Sequence, residues 1–75
     1  MNPKLVEIVA ELFDLDAAAV HEALTPEDVE LWDSMNHLRL VSAVEEEFQV
    51  KLSMQEIESI RSLGALQTLI DQRAS

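Results

Sequence analysis

Apolar residues recur at helical spacing near the start of the chain. Four of them fall on one side of a helical wheel: Leu5, Ile8, Val9 and Leu12. Asn2 and Pro3 come just before them, and these residue types are favoured at the N-cap and at the first helical position. The pattern therefore predicts a helix from Pro3 to about Phe13.

The segment from Asp14 to Asp33 does not keep a helical period. Asp16 can cap a short turn, and Thr25 resembles a helix start that has no long helix behind it. Because long loops without structure are uncommon in small domains, we expect this one to be anchored on the core. The expected anchors are Val20, Leu24, Val29 and Leu31.

A second helix is predicted to begin at Asp33 or Ser34 and to end at Phe48. With about 100° between successive residues, one side of this helix is apolar. The expected packing face, centred on Val41, consists of Leu38, Val41, Val44 and Phe48. The expected outward face consists of Met35, Asn36, Arg39, Ala43, Glu46 and Glu47.

Two further helices are predicted after an extended connector. Ser53 and Glu56 have the spacing of a capping box, which predicts a short third helix ending at Ile60. Ser62 can cap a fourth helix that runs to about Arg73. The pattern favours an all-α fold, a small four-helix bundle with a long loop between helices one and two. Residues 1–75 are expected to form a single domain.

Charge and composition exclude several functions. Fifteen acidic and five basic residues give a net charge of −10, which repels nucleic acids and anionic lipid head groups. We therefore expect partners with basic patches, and binding to neither nucleic acid nor membrane. The chain has no cysteine and shows neither a signal peptide nor a membrane-spanning apolar run. A cytoplasmic monomer is expected.

The candidate chemistry lies at Asp33, Ser34 and Met35, where the second helix begins. A serine at this junction presents its hydroxyl beside the free N–H groups of a helix N-terminus, where an attached phosphate is favourable. The alternative is that Asp33 only caps the helix and Ser34 is an ordinary first-turn residue. His37 lies one turn away, but no carboxylate is placed to orient it and no oxyanion hole is evident. We expect His37 to pack beside the loop, and Trp32 either to pin the loop by its burial or to contact partners.

Residues 31 to 48, LWDSMNHLRLVSAVEEEF, resemble the second helix and attachment site of acyl carrier proteins, and the whole chain is similar to that family. The resemblance implies a carrier without catalytic activity of its own. It implies that a phosphopantetheinyl transferase attaches 4′-phosphopantetheine to Ser34, and that the arm holds cargo as a thioester. It also implies an acyl- or aminoacyl-loading ligase and a ketosynthase or acyltransferase as partners.

The helical wheel and the resemblance together predict roles for other positions. The expected partner-binding residues are Asp33, Met35, Arg39, Glu46 and Glu47. The candidates for an acyl cleft between helices two, three and four are Leu38, Val44, Ile57, Ile60 and Leu66, whose other role is the core. Asn36 and Arg39 stand where carriers of fatty acid synthesis usually have acids, which favours a dedicated pathway.

Two alternatives remain open from the sequence. An aminoacyl or peptidyl carrier would use the same fold and the same serine. An acidic helical adaptor would bind a basic partner and have no prosthetic group. The sequence identifies neither the cargo nor the pathway among fatty acid, polyketide and related specialised biosynthesis.

Overall fold

The computed structural model describes residues 1–74, which contain four α-helices and no strand. The helices are α1 (Pro3–Leu12), α2 (Ser34–Phe48), α3 (Met54–Ser59) and α4 (Leu63–Ala74). A short 3₁₀ helix, Ala17–Ala19, lies in the long loop between α1 and α2. The predicted all-α bundle and its element order are confirmed. None of the helices in this described part has the length and apolarity needed to cross a membrane.

Local capping sets the helix starts. The Asn2 side chain accepts a hydrogen bond from the Lys4 N–H at 2.8 Å, and Pro3 is the first residue of α1. At α3, Ser53 and Glu56 form the complete capping box. Since these bonds satisfy N–H groups that lack helical acceptors, the starts could be predicted from sequence.

The core draws residues from α1, the long loop, α2, the segments on either side of α3, and α4, and α1 packs against α2. Its buried apolar residues are Leu5, Val9, Phe13, Val20, Leu24, Val29, Trp32, Leu40, Val41, Val44, Val50, Leu52, Ile60, Leu63, Leu66 and Ile70. Three of the four expected loop anchors are among them. Leu31 is not, because its side chain is 46% exposed, and its neighbour Trp32 is buried instead. The prediction for Leu31 is therefore wrong by one residue.

The packing face of α2 also differs from the prediction. Leu38 is 54% exposed, whereas Leu40 is fully buried beside Val41 and Val44. At about 100° per residue the observed face is centred roughly 50° from Val41, toward Leu40, and Leu38 lies about 110° from that centre. Leu38 and Leu40 lie on opposite sides of Val41 on the helix surface. Contact with the other helices decides which of the two leucines is buried.

The long loop is fastened to the start of α4 by main-chain hydrogen bonds. The Leu63 N–H donates to the Leu24 carbonyl at 3.0 Å, and the Gly64 N–H donates to the Glu22 carbonyl at 2.9 Å. Any side chain at Gly64 would bring its Cβ within 3.1 Å of that Glu22 oxygen. Glycine therefore permits the close approach that holds the loop across the bundle.

Candidate functional site

The junction of loop and α2 places Ser34 at the first helical position, exposed to solvent. Asp33 is the N-cap, and its carboxylate accepts a hydrogen bond from the Asn36 N–H at 2.8 Å. The Asn36 side-chain amide donates to the Leu31 carbonyl at 2.6 Å. These two bonds tie the end of the loop to the first turn of the helix, so that the Ser34 hydroxyl has a fixed position on an ordered element.

An open groove of about 520 Å³ begins at Ser34. It lies between the end of the loop, α2 and α3, and its surface is mainly apolar. The lining residues are Pro26, Trp32, Asp33, Ser34, His37, Leu38, Met54, Ile57 and Glu58. A group attached to Ser34 therefore has an apolar surface beside it.

His37 connects three segments of the chain across this groove. Its Nδ1 accepts a hydrogen bond from the Trp32 indole N–H at 2.9 Å, and its Nε2 lies 2.9 Å from the Ile57 carbonyl oxygen. Since Nδ1 is an acceptor, the proton of the neutral imidazole is on Nε2, which donates to Ile57. Both nitrogens are thus engaged, and neither faces Ser34 as a general base. The expectation that His37 packs beside the loop is confirmed.

Trp32 is 4% exposed and stacks on Phe13, with ring centroids 5.4 Å apart. It also stacks on His37, at 6.1 Å. Burial of the ring with its N–H hydrogen-bonded is the usual arrangement for tryptophan in a core. Trp32 therefore pins the loop against the start of α2.

The predicted partner-binding residues are all exposed, on α2 and its cap. Met35 is the apolar member of this set, with 63% of its surface open beside Ser34. Glu47 lies 3.9 Å from the Lys4 ammonium group, an exposed pair that contributes little. Glu45, which precedes these acids, instead accepts a hydrogen bond from the Leu52 N–H at 2.9 Å and fastens the connector before α3.

The predicted cleft residues occupy two different places. Leu38 and Ile57 line the groove beside Ser34, while Val44, Ile60 and Leu66 are buried in the core. Sequence reasoning did not single out Met54 or Glu58 for the groove. The capping box fixes where α3 begins, but no local signal shows which of its sides faces α2.

Glu56 of α3 has a perturbed carboxyl group. The Ser53 N–H donates to it at 2.9 Å and holds its pKa below the ordinary value, and the positive charge of Arg73 from α4 acts in the same direction. Arg73 also donates to the Lys51 carbonyl at 3.3 Å. The end of α4 is therefore linked to the short helix that forms one wall of the groove.

These residues fit a covalently attached phosphodiester arm. The Ser34 hydroxyl is exposed at the N-terminus of a helix of 15 residues, where the dipole favours an anion. The apolar groove next to it has room for the uncharged part of an arm or its cargo.

The chain matches the family described as phosphopantetheine attachment site over residues 3–70. Among solved structures it is similar to the holo acyl carrier protein from Geobacter metallireducens, determined by NMR in solution. The TM-score is 0.84 at 26% sequence identity, and the match covers 93% of this chain and 80% of that chain. The chain belongs to the phosphopantetheine-binding carrier family: it is a carrier rather than an enzyme, and its prosthetic group is a covalently attached 4′-phosphopantetheine.

Proposed function

We propose that Ser34 is the attachment residue and that the chain carries acyl groups for fatty acid, polyketide or related specialised biosynthesis. The observation that supports this most directly is the exposed Ser34 hydroxyl at the first position of α2, on the rim of the groove. When attached, the arm supplies a thiol that holds an acyl group as a thioester. The family match favours this carrier over an adaptor without a prosthetic group.

Asp33, the cap of α2, and Ser34, its first residue, have distinct roles in this proposal. Asp33 keeps the first turn formed through its bond to the Asn36 N–H, so the Ser34 hydroxyl stays outside the bundle. The Ser34 oxygen attacks phosphorus of coenzyme A in the active site of a phosphopantetheinyl transferase, the hydroxyl proton leaves, and adenosine 3′,5′-bisphosphate departs. The carrier has only to present the nucleophile, because the transferase performs the chemistry.

Partner enzymes would bind the exposed side of α2. Met35 places an apolar side chain next to the attachment residue, where it can be buried by a docked enzyme. Arg39, Glu46 and Glu47 give this surface mixed charge, although the chain as a whole is strongly acidic. Specificity by charge placement favours a dedicated loading ligase, and a ketosynthase or acyltransferase matched to it, over housekeeping fatty acid synthesis.

Mass spectrometry of the intact protein tests the attachment. After incubation with coenzyme A and a broad-specificity phosphopantetheinyl transferase, the wild-type protein should gain the mass of one phosphopantetheine. Ser34→Ala should gain nothing, whereas the matched control Ser42→Ala, on an exposed residue of the same helix, should react like the wild type. An arm on Ser34→Ala, or none on the wild type, would refute the assignment.

A further inference from the structure

The short helix α3 contributes one partly buried apolar residue, Ile57, to the packing against the core. None of its six residues is buried, and the apolar anchors Leu52 and Ile60 lie just outside it. The capping box is internal to the helix, and the Glu56–Arg73 pair lies near the surface, where ion pairs contribute little. Since α3 forms one wall of the groove at Ser34, its position decides how wide the groove is.

A part-buried hydrogen bond joins α3 to α2 through His37. Its Nε2–H donates to the Ile57 carbonyl, near the C-terminal end of α3, where carbonyls lack helical donors. The Ile60 N–H reaches the same oxygen only at 3.3 Å, which leaves His37 at 2.9 Å as the closer donor. On its other side the imidazole is fixed by Trp32, which is itself held by stacking on Phe13.

We infer that His37 is a positioning residue: together with Trp32 and Ile57 it forms a histidine bridge that keeps α3 against α2 and confines the cargo to the groove. This inference rests on the proposed function. With the bridge intact, cargo contacts Leu38, Met54 and Ile57, which are accessible. It does not reach Val44 or Leu66, which are fully buried in the core. The chain therefore selects cargo whose apolar part fits the groove.

The bridge itself is tested on the unmodified protein. Imidazole ¹⁵N shifts should show Nδ1 unprotonated and Nε2 protonated. In His37→Ala, the ratio of hydrogen-exchange protection in α3 to that in α1 should fall about fivefold, the effect of one lost hydrogen bond. His37→Gln, which retains a donor and an acceptor, should restore most of the ratio. If both helices lose protection equally, the residue only adds to global stability, and the bridge is refuted.

The second part of the inference, that cargo stays in the groove and does not enter the core, is called the cargo limit. It is tested on protein loaded with acetyl, hexanoyl or dodecanoyl groups. In the wild type, every chain should shift the amide signals of Leu38 and Ile57 and leave those of Val44 and Leu66 unchanged. In His37→Ala, the dodecanoyl group should shift the core signals as well. Trp32→Phe, which removes the indole N–H and keeps an aromatic ring, should behave in the same way if His37→Ala does not fold.

Core shifts of equal size in dodecanoyl wild type and dodecanoyl His37→Ala would overturn the cargo limit. Failure of the proposed function looks different, because the arm would then not attach to Ser34 in either protein. In that event the cargo limit falls with the proposed function, and the hydrogen-exchange ratio still decides whether the bridge exists.

Discussion

Asp33 combines a capping role with a negative charge next to the attachment residue, and two substitutions separate these roles. Asp33→Ala removes the acceptor for the Asn36 N–H, a hydrogen bond of 2.8 Å at the start of the longest helix. Loss of an N-cap costs about 1 kcal/mol, within a range of roughly 0.5–2 kcal/mol. In a domain of this size, about 1 kcal/mol corresponds to a melting temperature lower by roughly 4–8 °C.

Asp33→Asn keeps a side-chain oxygen at the cap and removes the charge. Because asparagine is as good an N-cap as aspartate, we expect its stability to lie within about 0.5 kcal/mol of the wild type. We propose that the transferase recognises the charge of Asp33, one of the predicted partner-binding residues. Both variants should therefore accept the arm more slowly, although only Asp33→Ala is destabilised.

Urea unfolding, monitored by circular dichroism, measures the loss of stability. The urea concentration at the midpoint is compared between proteins whose unfolding free energies depend on urea with the same slope. Timed intact-mass spectra measure the rate of modification. Equal stability of Asp33→Ala and the wild type would refute the assignment of Asp33 as a structural cap. Normal modification of Asp33→Asn would refute the proposal that its charge is recognised.

Three further predictions concern packing and charge. Leu40→Ala should lower the free energy of unfolding by about 2–5 kcal/mol, because Leu40 is fully buried. Leu38→Ala, at an exposed position on the same helix, should lower it by less than about 1 kcal/mol. Equal losses of unfolding free energy, measured in urea, would contradict the observed packing face. The Ser53 N–H and Arg73 hold the Glu56 pKa below its ordinary value of 4.5, so the stabilisation by this carboxylate is present above pH 4.5 and is lost as the pH falls through the lowered pKa. Glu56→Gln should therefore reduce the acid dependence of the melting temperature, and an unchanged dependence would exclude this role. Added sodium or magnesium chloride should raise the melting temperature, since screening reduces the repulsion among charges that sum to −10, and a flat or falling melting temperature would contradict this account.

The sequence predicted those features of the fold that depend on neighbouring residues. Asn2 with Pro3 and Ser53 with Glu56 mark the helix starts because a cap and its N–H partner lie within three residues. The exposed serine at the start of α2 was predictable for the same reason, since Asp33 provides its own capping signal.

Features that depend on contacts between distant segments could not be predicted in this way. The sequence alone does not decide between Leu38 and Leu40, because both lie at the edge of an apolar face and only the position of the other helices buries one of them. The histidine bridge joins the loop, α2 and α3, and its partners Trp32 and Ile57 lie five and twenty residues from His37. No periodicity or capping pattern relates such positions.

In the proposed function one hydroxyl, that of Ser34 at the start of α2, carries the arm. The most direct measurement is peptide fragmentation of the modified protein, which locates the phosphopantetheine on a single residue. We expect all of the modification to lie on Ser34, and Ser34→Ala to remain unmodified with its helical content intact. Modification of another serine, or a folded wild-type protein that active transferases leave unmodified, would contradict it.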